Sequence, residues 1–189
     1  MSHSAPAVAE TIMCRGERFR LYLDTDTIAE RVNAIGRAIS EEYESERPIL
    51  IGVLNGAYMF LADLMRAITI DCEVDFLKLS SYGAEKVSSG AVTELKKIDA
   101  NLEGRHVIVV EDIVDTGLSM QFITELMGEL NPASVKTVTL LHKKAATRPD
   151  IDLKLDWVGF EIDNLFVIGY GLDYGQLARN LPAIYILDE

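Results

Sequence analysis

The sequence predicts an α/β fold with a central, mainly parallel twisted sheet that is flanked by helices. Continuous apolar runs, typical of buried strands, alternate with segments whose apolar residues recur at helical spacing. Turn residues such as Asn and Gly separate these segments. The chain has 189 residues, of which 49% are hydrophobic, and this is enough to bury one sizeable core.

The first part of the chain predicts a helix, a strand and a second helix. Isoleucine and valine recur at helical spacing over residues 27–44, and acidic residues just before them suit a helix start. Residues 48–54 are continuously apolar and predict a buried strand. The pair Asn55 and Gly56 marks a turn, and a second amphipathic helix follows over residues 58–67.

The middle of the chain continues this alternation. Residues 74–79 predict a strand, and the polar, glycine-containing stretch 80–91 predicts a mobile loop. A near-unbroken apolar strand is expected at 105–110, a helix at 117–130 and another strand at 135–141. Alternation of strand and helix is typical of a parallel sheet.

The two ends of the chain have weaker patterns. From Trp157 onward, short strand-like pieces at 158–161, 166–169 and 183–187 lack an intervening helix and predict a sheet edge plus a cap. Residues 1–13 are expected to form a disordered tail. Because no linker, repeat or low-complexity stretch is visible, residues 14–189 are expected to form a single domain.

Composition excludes several classes of function. The formal net charge of −12 and the pI near 4.7 argue against a nucleic-acid surface, which needs clustered Lys and Arg. Asn55, Asp63 and Arg66 interrupt the most hydrophobic region, so no membrane span is expected. The two cysteines are far apart and encode neither a disulfide framework nor a zinc site. We therefore expect a cytoplasmic protein with small-molecule partners.

The run 109–119 carries the clearest chemical signal, because an apolar strand leads through acidic residues into a polar loop and a helix. Ligands of open parallel sheets bind at such strand ends. Glu111 and Asp112 can accept hydrogen bonds from the vicinal diol of a ribose. The following loop can direct backbone N–H groups and two hydroxyls at one anion, which predicts a phosphate site. Its members are Asp115, Thr116, Gly117, Leu118 and Ser119.

This run resembles the phosphoribosyl pyrophosphate motif of type I phosphoribosyltransferases, and most of residues 14–187 resembles the hypoxanthine-guanine phosphoribosyltransferases. The resemblance implies a small hood, built from both chain ends, over the strand termini. It also implies Mg²⁺ as cofactor, a purine base and phosphoribosyl pyrophosphate as substrates, and a homodimer or homotetramer. Acidic residues at a strand end followed by a helix occur in many α/β proteins, and this remains the alternative.

The resemblance assigns roles at the reacting centre. Asp115 matches the aspartate near N7 of the purine, a proposed general base, whereas helix capping is the alternative role. Leu54, Asn55 and Gly56 match the pyrophosphate loop, where a cis peptide is often found, although a plain strand-to-helix turn is the alternative. Many relatives have Lys at the position of Asn55, which leaves a charged contact to pyrophosphate in question.

Three further segments complete the resemblance. Ser81 and Tyr82 match a pair that opens the flexible loop closing over the site, although this loop can equally be a surface insertion. Lys143 matches the donor to O6 of the purine, which favours a 6-oxo base; the alternative is a solvated lysine. Phe166 matches the residue stacked on the base and Val167 the residue whose backbone meets the base edge, whereas both also suit a core.

Two charged residues near the C-terminus match the diphosphate end of the site. The resemblance implies that Asp173, with Glu111 and Asp112, binds the metal, and that Arg179 contacts pyrophosphate. Surface ion pairing is the alternative for Asp173 and Arg179. Two other functions are open to such a chain: a ligand-sensing regulator that binds nucleic acid, and a receiver-like module that accepts a phosphoryl group on its strand-end acids.

Overall fold

The computed structural model describes residues 8–81 and 92–188. Within these residues the chain forms three helices and ten strands. In chain order they are β1 (Thr11–Cys14), β2 (Glu17–Leu23), α1 (Thr25–Glu42), β3 (Ile49–Leu54), α2 (Tyr58–Ala67), β4 (Glu73–Ser81), β5 (Val92–Lys96), β6 (His106–Val114), α3 (Leu118–Glu129), β7 (Ser134–His142), β8 (Trp157–Glu161), β9 (Val167–Ile168) and β10 (Ile184–Leu187).

The central sheet has six strands in the order β5-β4-β3-β6-β7-β8. Strand β5 runs antiparallel to β4, and the other neighbouring pairs are parallel. This confirms the predicted mainly parallel sheet. Because both faces of such a sheet are covered, its inner strands are apolar throughout, as the fully buried start of β3 illustrates.

The core lies in two layers, one on each face of the central sheet. Leu50 of β3 packs in the cluster that contains the buried faces of α1 and α2. Its neighbours Ile49 and Ile51 point to the other face and pack in the cluster that contains Met120 and Ile123 of α3. The alternation of side chains along β3 therefore joins helices on both faces into one three-layer α/β structure.

The predicted helices are present, with small shifts at their ends. Helix α1 begins two residues earlier than predicted, because the Asp24 carboxylate accepts a hydrogen bond from the Thr27 N–H at 2.8 Å and caps it. Helix α2 has the predicted bounds. Helix α3 starts after Gly117, whose left-handed conformation (φ +88°) ends the preceding loop.

A second sheet of four strands, β1-β2-β10-β9, combines segments from the two ends of the chain. We call it the hood. Phe19, Ile168 and Tyr185 are buried in its own small core. The predicted tail at residues 1–13 needs correction here, because Thr11 to Met13 belong to β1 and pair with β2. Such a short edge strand is stabilised by its partner rather than by its own sequence pattern.

Two further differences from the predicted elements concern β5 and β6. Strand β6 was expected to end at residue 110 but continues through Val114, because it pairs with β7 over its whole length. Strand β5 was not predicted, and its Glu and Lys residues are typical of a sheet edge. Of the predicted flexible loop, Ser81 ends β4, whereas Tyr82 and the residues up to 91 lie outside the described residues.

Across the described ranges, none of the helices combines the length and apolar character needed to cross a bilayer.

Candidate active site

The carboxyl ends of β3, β6 and β7 lie side by side in the central sheet, and each is followed by a segment that carries predicted site residues. Parallel strands bring such segments to one edge. Two contacts join the segments. Lys143 after β7 reaches Asp115 after β6, and Asp112 of β6 reaches Gly56 after β3. The fold therefore brings together, at one edge of the sheet, segments that carry predicted site residues.

The loop 115–119, which we call the phosphate cup, leads into the first turn of α3. A small cavity of about 80 Å³ opens there. It is lined by Glu111, Ile113, Val114, Asp115, Thr116, Gly117, Ser119 and Met120. Thr116 and Ser119 are exposed, so their hydroxyls are available to a ligand. The first N–H groups of a helix lack intrahelical partners, and the cup is suited to bind an anion such as phosphate.

Asp115 does not cap α3. The N-cap residue is Gly117, and no side chain among the described residues bonds to this helix end. Instead, Asp115 Oδ2 accepts a hydrogen bond from Lys143 Nζ at 3.0 Å. The backbone carbonyl of Asp115 accepts a hydrogen bond from the Thr147 hydroxyl at 3.1 Å. The alternative role of Asp115 as a helix cap is thus wrong, and its carboxylate remains at the mouth of the cup.

Lys143 is not a solvated surface lysine. Only 9% of Lys143 is exposed, and its backbone N–H donates a hydrogen bond to the Val114 carbonyl at 2.9 Å. Its neighbour Lys144 has a 72% exposed side chain and pairs with Glu161 at 3.5 Å. Burying an ammonium group is costly unless it is paired, and the Asp115 carboxylate meets this need. The pair places a donor and an acceptor next to each other beside the cup.

Glu111 and Asp112 form an acidic pair on β6. Glu111 is 8% exposed, and its Oε2 has no hydrogen-bond partner among the described residues. Burial, together with the neighbouring charge of Asp112, raises the pKa of Glu111 well above its usual range. Burial raises the pKa of Asp112 to about 6, although the Ile113 N–H and Arg179 act in the opposite direction. An unpartnered carboxylate oxygen such as Glu111 Oε2 is suited to accept a hydrogen bond from a ligand hydroxyl.

The turn after β3 packs tightly against these acids. The Leu54–Asn55 peptide is cis, and Asn55 is exposed. A side chain at Gly56 has no room, because its Cβ would lie 1.6 Å from Asp112 Oδ2. Gly171 is equally restricted: its Cβ would lie 2.1 Å from the Gly56 carbonyl oxygen. Only glycine allows the turn, the acid and the 169–173 segment to approach so closely.

Arg179 and Asp173 flank this contact. Arg179 Nη2 lies 2.5 Å from Asp173 Oδ1, and Nη1 donates to the Gly171 carbonyl at 2.7 Å. Asp173 Oδ2 also accepts a hydrogen bond from the Gln176 N–H at 2.7 Å. Both side chains are largely buried, so this is not an exposed surface pair. The Asp173 carboxylate and the Gly171 carbonyl therefore fix the position of the Arg179 guanidinium.

Within the part of the chain that the structure describes, no three His, Cys, Asp or Glu side chains converge on one point. Asp173, Glu111 and Asp112 therefore do not form a preformed cluster in the described structure, and their role as metal ligands stays a prediction. Their chemistry still suits a hard cation, since all donors are oxygens and Glu111 Oε2 is unpaired. Mg²⁺ keeps several waters and takes ligand oxygens, so few protein ligands are needed.

Phe166 and Val167 lie in the hood. Val167 is buried in β9, as a core residue would be, whereas Phe166 is 44% exposed and presents a ring surface to solvent. Tyr174 meets the Phe166 ring edge-on with centroids 5.2 Å apart, and Phe19 lies 6.2 Å away. No role was predicted from sequence for Tyr174 or Thr147. Their contacts to Phe166 and Asp115 arise only from tertiary structure, although Tyr174 directly follows the predicted metal ligand.

Comparison with known proteins identifies the class first. A family model described as a phosphoribosyl transferase domain matches residues 22–175. The hypoxanthine-guanine phosphoribosyltransferase of Bacillus subtilis (strain 168) is 42% identical over 168 residues, which cover 89% of this chain and 92% of that protein. That of Aquifex aeolicus is 40% identical over 93% of this chain and 98% of its own length.

Solved structures agree with these relatives. A crystal structure of a hypoxanthine-guanine phosphoribosyltransferase from Bacillus anthracis has a TM-score of 0.83 at 38% identity, covering 89% of this chain and 98% of the other. The hypoxanthine phosphoribosyltransferase of Trypanosoma cruzi has a TM-score of 0.82 at 36% identity, covering 89% and 94%. The chain belongs to the phosphoribosyltransferase family, in its hypoxanthine-guanine branch.

Proposed function

We propose that this enzyme transfers the 5-phosphoribosyl group of phosphoribosyl pyrophosphate to N9 of hypoxanthine or guanine. The products are IMP or GMP and pyrophosphate, and the reaction salvages purine bases. The relatives' names support the substrates. The observation that carries the proposal is the pairing of the buried Lys143 with the half-exposed Asp115 beside the phosphate cup. It offers a hydrogen-bond donor and a proton acceptor where a base can approach a bound sugar phosphate.

The ribose phosphate is held by two groups of residues. The 5′-phosphate lies in the cup, where the N–H groups of the loop and first turn of α3 donate to it, with the Thr116 and Ser119 hydroxyls. The ribose hydroxyls donate to Glu111 and Asp112. This pairing satisfies the unpartnered Glu111 oxygen and lowers the cost of keeping both carboxylates charged.

The base lies between the hood and Lys143. The ammonium of Lys143 donates to O6, whereas a 6-amino group offers it no acceptor at that position. Phe166 stacks on the ring, and the backbone of Val167 meets the base edge. As the N9 lone pair forms the bond to C1′, the bond from C1′ to the pyrophosphate oxygen breaks. Asp115 takes the proton from N7 and so prevents positive charge from building up on the base.

The pyrophosphate leaves toward the turn after β3. Backbone groups of Leu54, Asn55 and Gly56 contact it, and Arg179 adds a positive charge that stabilises the leaving group. Asp173, with Glu111 and Asp112, would hold Mg²⁺ together with substrate oxygens and water. When bound, the cation neutralises charge on the diphosphate. We also propose that Ser81 and Tyr82 help to exclude water from C1′ during the transfer.

A base-panel assay tests the proposal. Protein, Mg²⁺ and phosphoribosyl pyrophosphate are mixed with hypoxanthine, guanine, xanthine or adenine, and nucleotide is measured by chromatography. We expect nucleotide with hypoxanthine or guanine and little with adenine. If no base yields nucleotide but phosphoribosyl pyrophosphate still binds, a sensing role is favoured. Covalent phosphorylation of the strand-end acids would instead support a receiver-like module.

We further propose that the enzyme acts in the cytoplasm as a homodimer or homotetramer. Solution mass by light scattering at several protein concentrations tests the assembly. A mass that stays near 21.0 kDa at all concentrations would contradict it.

A further inference from the structure

The segment 169–181 carries Asp173 and Arg179 and folds back on itself through backbone hydrogen bonds. The Gly171 N–H donates to the Arg179 carbonyl at 3.0 Å, and the Tyr170 N–H donates to the Leu181 carbonyl at 2.9 Å. We call it the diphosphate segment. Gly171 packs closely against the Gly56 carbonyl, so this segment and the turn after β3 are in direct contact. The separation of Arg179 from that turn depends on how the segment is fixed.

Two contacts fix the diphosphate segment to helix α2. The Tyr170 hydroxyl donates to Asp63 Oδ2 at 2.7 Å, and the Tyr58 hydroxyl donates to the Arg179 carbonyl at 3.4 Å. The first contact is short, and it joins two residues that are 107 positions apart in the sequence. Because α2 begins directly after the turn 55–57, both contacts join the segment to the element that carries the turn.

Tyr170 is well placed to hold this arrangement. It is buried, with a positive φ of 50°, so its backbone conformation requires support from the surrounding structure. Burial raises the pKa of its hydroxyl, and the Asp63 carboxylate raises it further, so the group stays a donor at every physiological pH. A hydrogen bond to a charged acceptor is stronger than one between neutral groups.

We infer that Tyr170, through Asp63, is a positioning residue that sets the diphosphate segment against the turn after β3, and so tunes affinity for the diphosphate end of the sugar substrate. Tyr170 lies next to Gly171 and does not itself contact the reacting atoms. The inference rests on the proposed function. It predicts a larger effect on phosphoribosyl pyrophosphate than on the base, because Arg179 belongs to the segment, whereas the segment touches Phe166 through Tyr174.

The test compares Tyr170→Phe with the wild type in steady-state kinetics. The substitution keeps the packed ring and removes the hydroxyl. We expect the KM for phosphoribosyl pyrophosphate to rise about five- to twentyfold, while the KM for hypoxanthine changes less than about twofold. Asp63→Ala should match Tyr170→Phe, and Asp63→Asn, which retains an acceptor oxygen, should restore most of the affinity. The double variant Tyr170→Phe, Asp63→Ala should lose no more than either single one.

Arg66→Gln is the matched control. Arg66 is exposed, and its Nη1 bonds to the other Asp63 oxygen at 2.6 Å. This variant therefore removes one partner of Asp63 but leaves the hydrogen bond from Tyr170 intact. Its KM values should equal those of the wild type. Equal increases in both KM values, or an effect of Arg66→Gln as large as that of Tyr170→Phe, would overturn the inference.

Hydrogen exchange of the Gly171 N–H gives a second readout that needs no turnover. Its bond to Arg179 should open more often in Tyr170→Phe than in the wild type or Arg66→Gln, and exchange should be faster by about the same factor as the KM change. If the wild type turns over no base, the proposed function fails whatever the exchange shows. If the wild type is active but Tyr170→Phe changes neither exchange nor KM, only the positioning role fails.

Discussion

Asp115 has its carboxylate 3.0 Å from the Lys143 ammonium and its backbone carbonyl bonded to Thr147. Replacing it by Asn keeps the shape but removes the proton acceptor. We expect Asp115→Asn to lower kcat by about 10²- to 10⁴-fold, the usual contribution of a general base, with little change in substrate affinity. Single-turnover kinetics and calorimetric binding of phosphoribosyl pyrophosphate measure the two effects separately.

The control for Asp115 is Asp150→Asn. Asp150 is exposed and pairs with Arg148, so turnover should not change. Near-normal turnover of Asp115→Asn with intact binding would show that the carboxylate is not a general base.

Lys143 and Lys144 are adjacent in sequence and opposite in environment. Only Lys143 is buried beside Asp115, and in the proposed function its ammonium donates to the exocyclic O6 of a purine. Lys143→Ala should reduce the ratio of kcat/KM for hypoxanthine to that for adenine by about 10- to 100-fold. Lys144→Ala should leave the ratio unchanged. An unaltered ratio in Lys143→Ala would assign base selection to other residues.

At the scale of elements, helix α3 has two glycines in different environments, one required by the backbone conformation and one not. Gly117 has φ +88° at the helix start, whereas Gly128 lies within the helix with open space around its Cα. Gly117→Ala should lower the free energy of unfolding by about 1–2 kcal/mol, because alanine is strained at positive φ. Gly128→Ala should raise it by up to about 1 kcal/mol through helix propensity. Urea unfolding measures both, and effects of the same sign would contradict the assignment.

Asp75 ties β4 to the segment after β5. It is 8% exposed, and its carboxylate accepts hydrogen bonds from the N–H groups of Phe76, Asp99 and Ala100 at 2.6–2.8 Å and from Lys96 at 3.2 Å. Burial alone would raise the pKa of Asp75, but these donors outweigh it and lower the pKa below its usual value.

This depressed pKa gives Asp75 a predictable pH dependence. Its stabilisation is fully present above the unfolded pKa of about 4 and is lost as the pH falls through the lower folded pKa. Asp75→Asn should therefore lower the free energy of unfolding by about 2 kcal/mol at pH 7, with a smaller loss at pH 3. Denaturant unfolding at both pH values measures this. The exposed Asp152→Asn is the control, and a loss independent of pH would argue against the charge.

At the scale of the whole molecule, the net charge of −12 separates phosphate binding from nucleic-acid binding. In the proposed function the cup binds one anion with local N–H donors, whereas a nucleic-acid groove needs an extended array of cations. We expect no change in the anisotropy of a labelled 20-base-pair DNA with up to about 10 μM protein at about 0.1 M salt. Saturable binding with a steep salt dependence would instead support a regulatory role.

Much of the central sheet could be predicted from sequence because β3, β6 and β7 each carry their own signal, whereas the charged edge strand β5 does not. Residues 48–54 are apolar in a run, and the chemistry of residues 109–119 is contiguous. The hood carries weaker signals: short strand-like pieces mark β9 and β10, but β1 is mostly exposed and β9 has only two residues. The roles of Tyr170 and Tyr174 depend on contacts with residues far away in the chain, such as Asp63 and Phe19. Sequence periodicity does not report such contacts.

The position of β10 between β2 and β9 has a consequence for synthesis. Strand β2 leaves the ribosome well before its partner β10, because β3 to β9 lie between them in the sequence. The strands and helices from β3 to β8 follow one another and can pack as they emerge. In a nascent chain, the phosphate cup can therefore form before the hood is complete. A chain that ends shortly before β10 should therefore bind sugar phosphates but not a purine base.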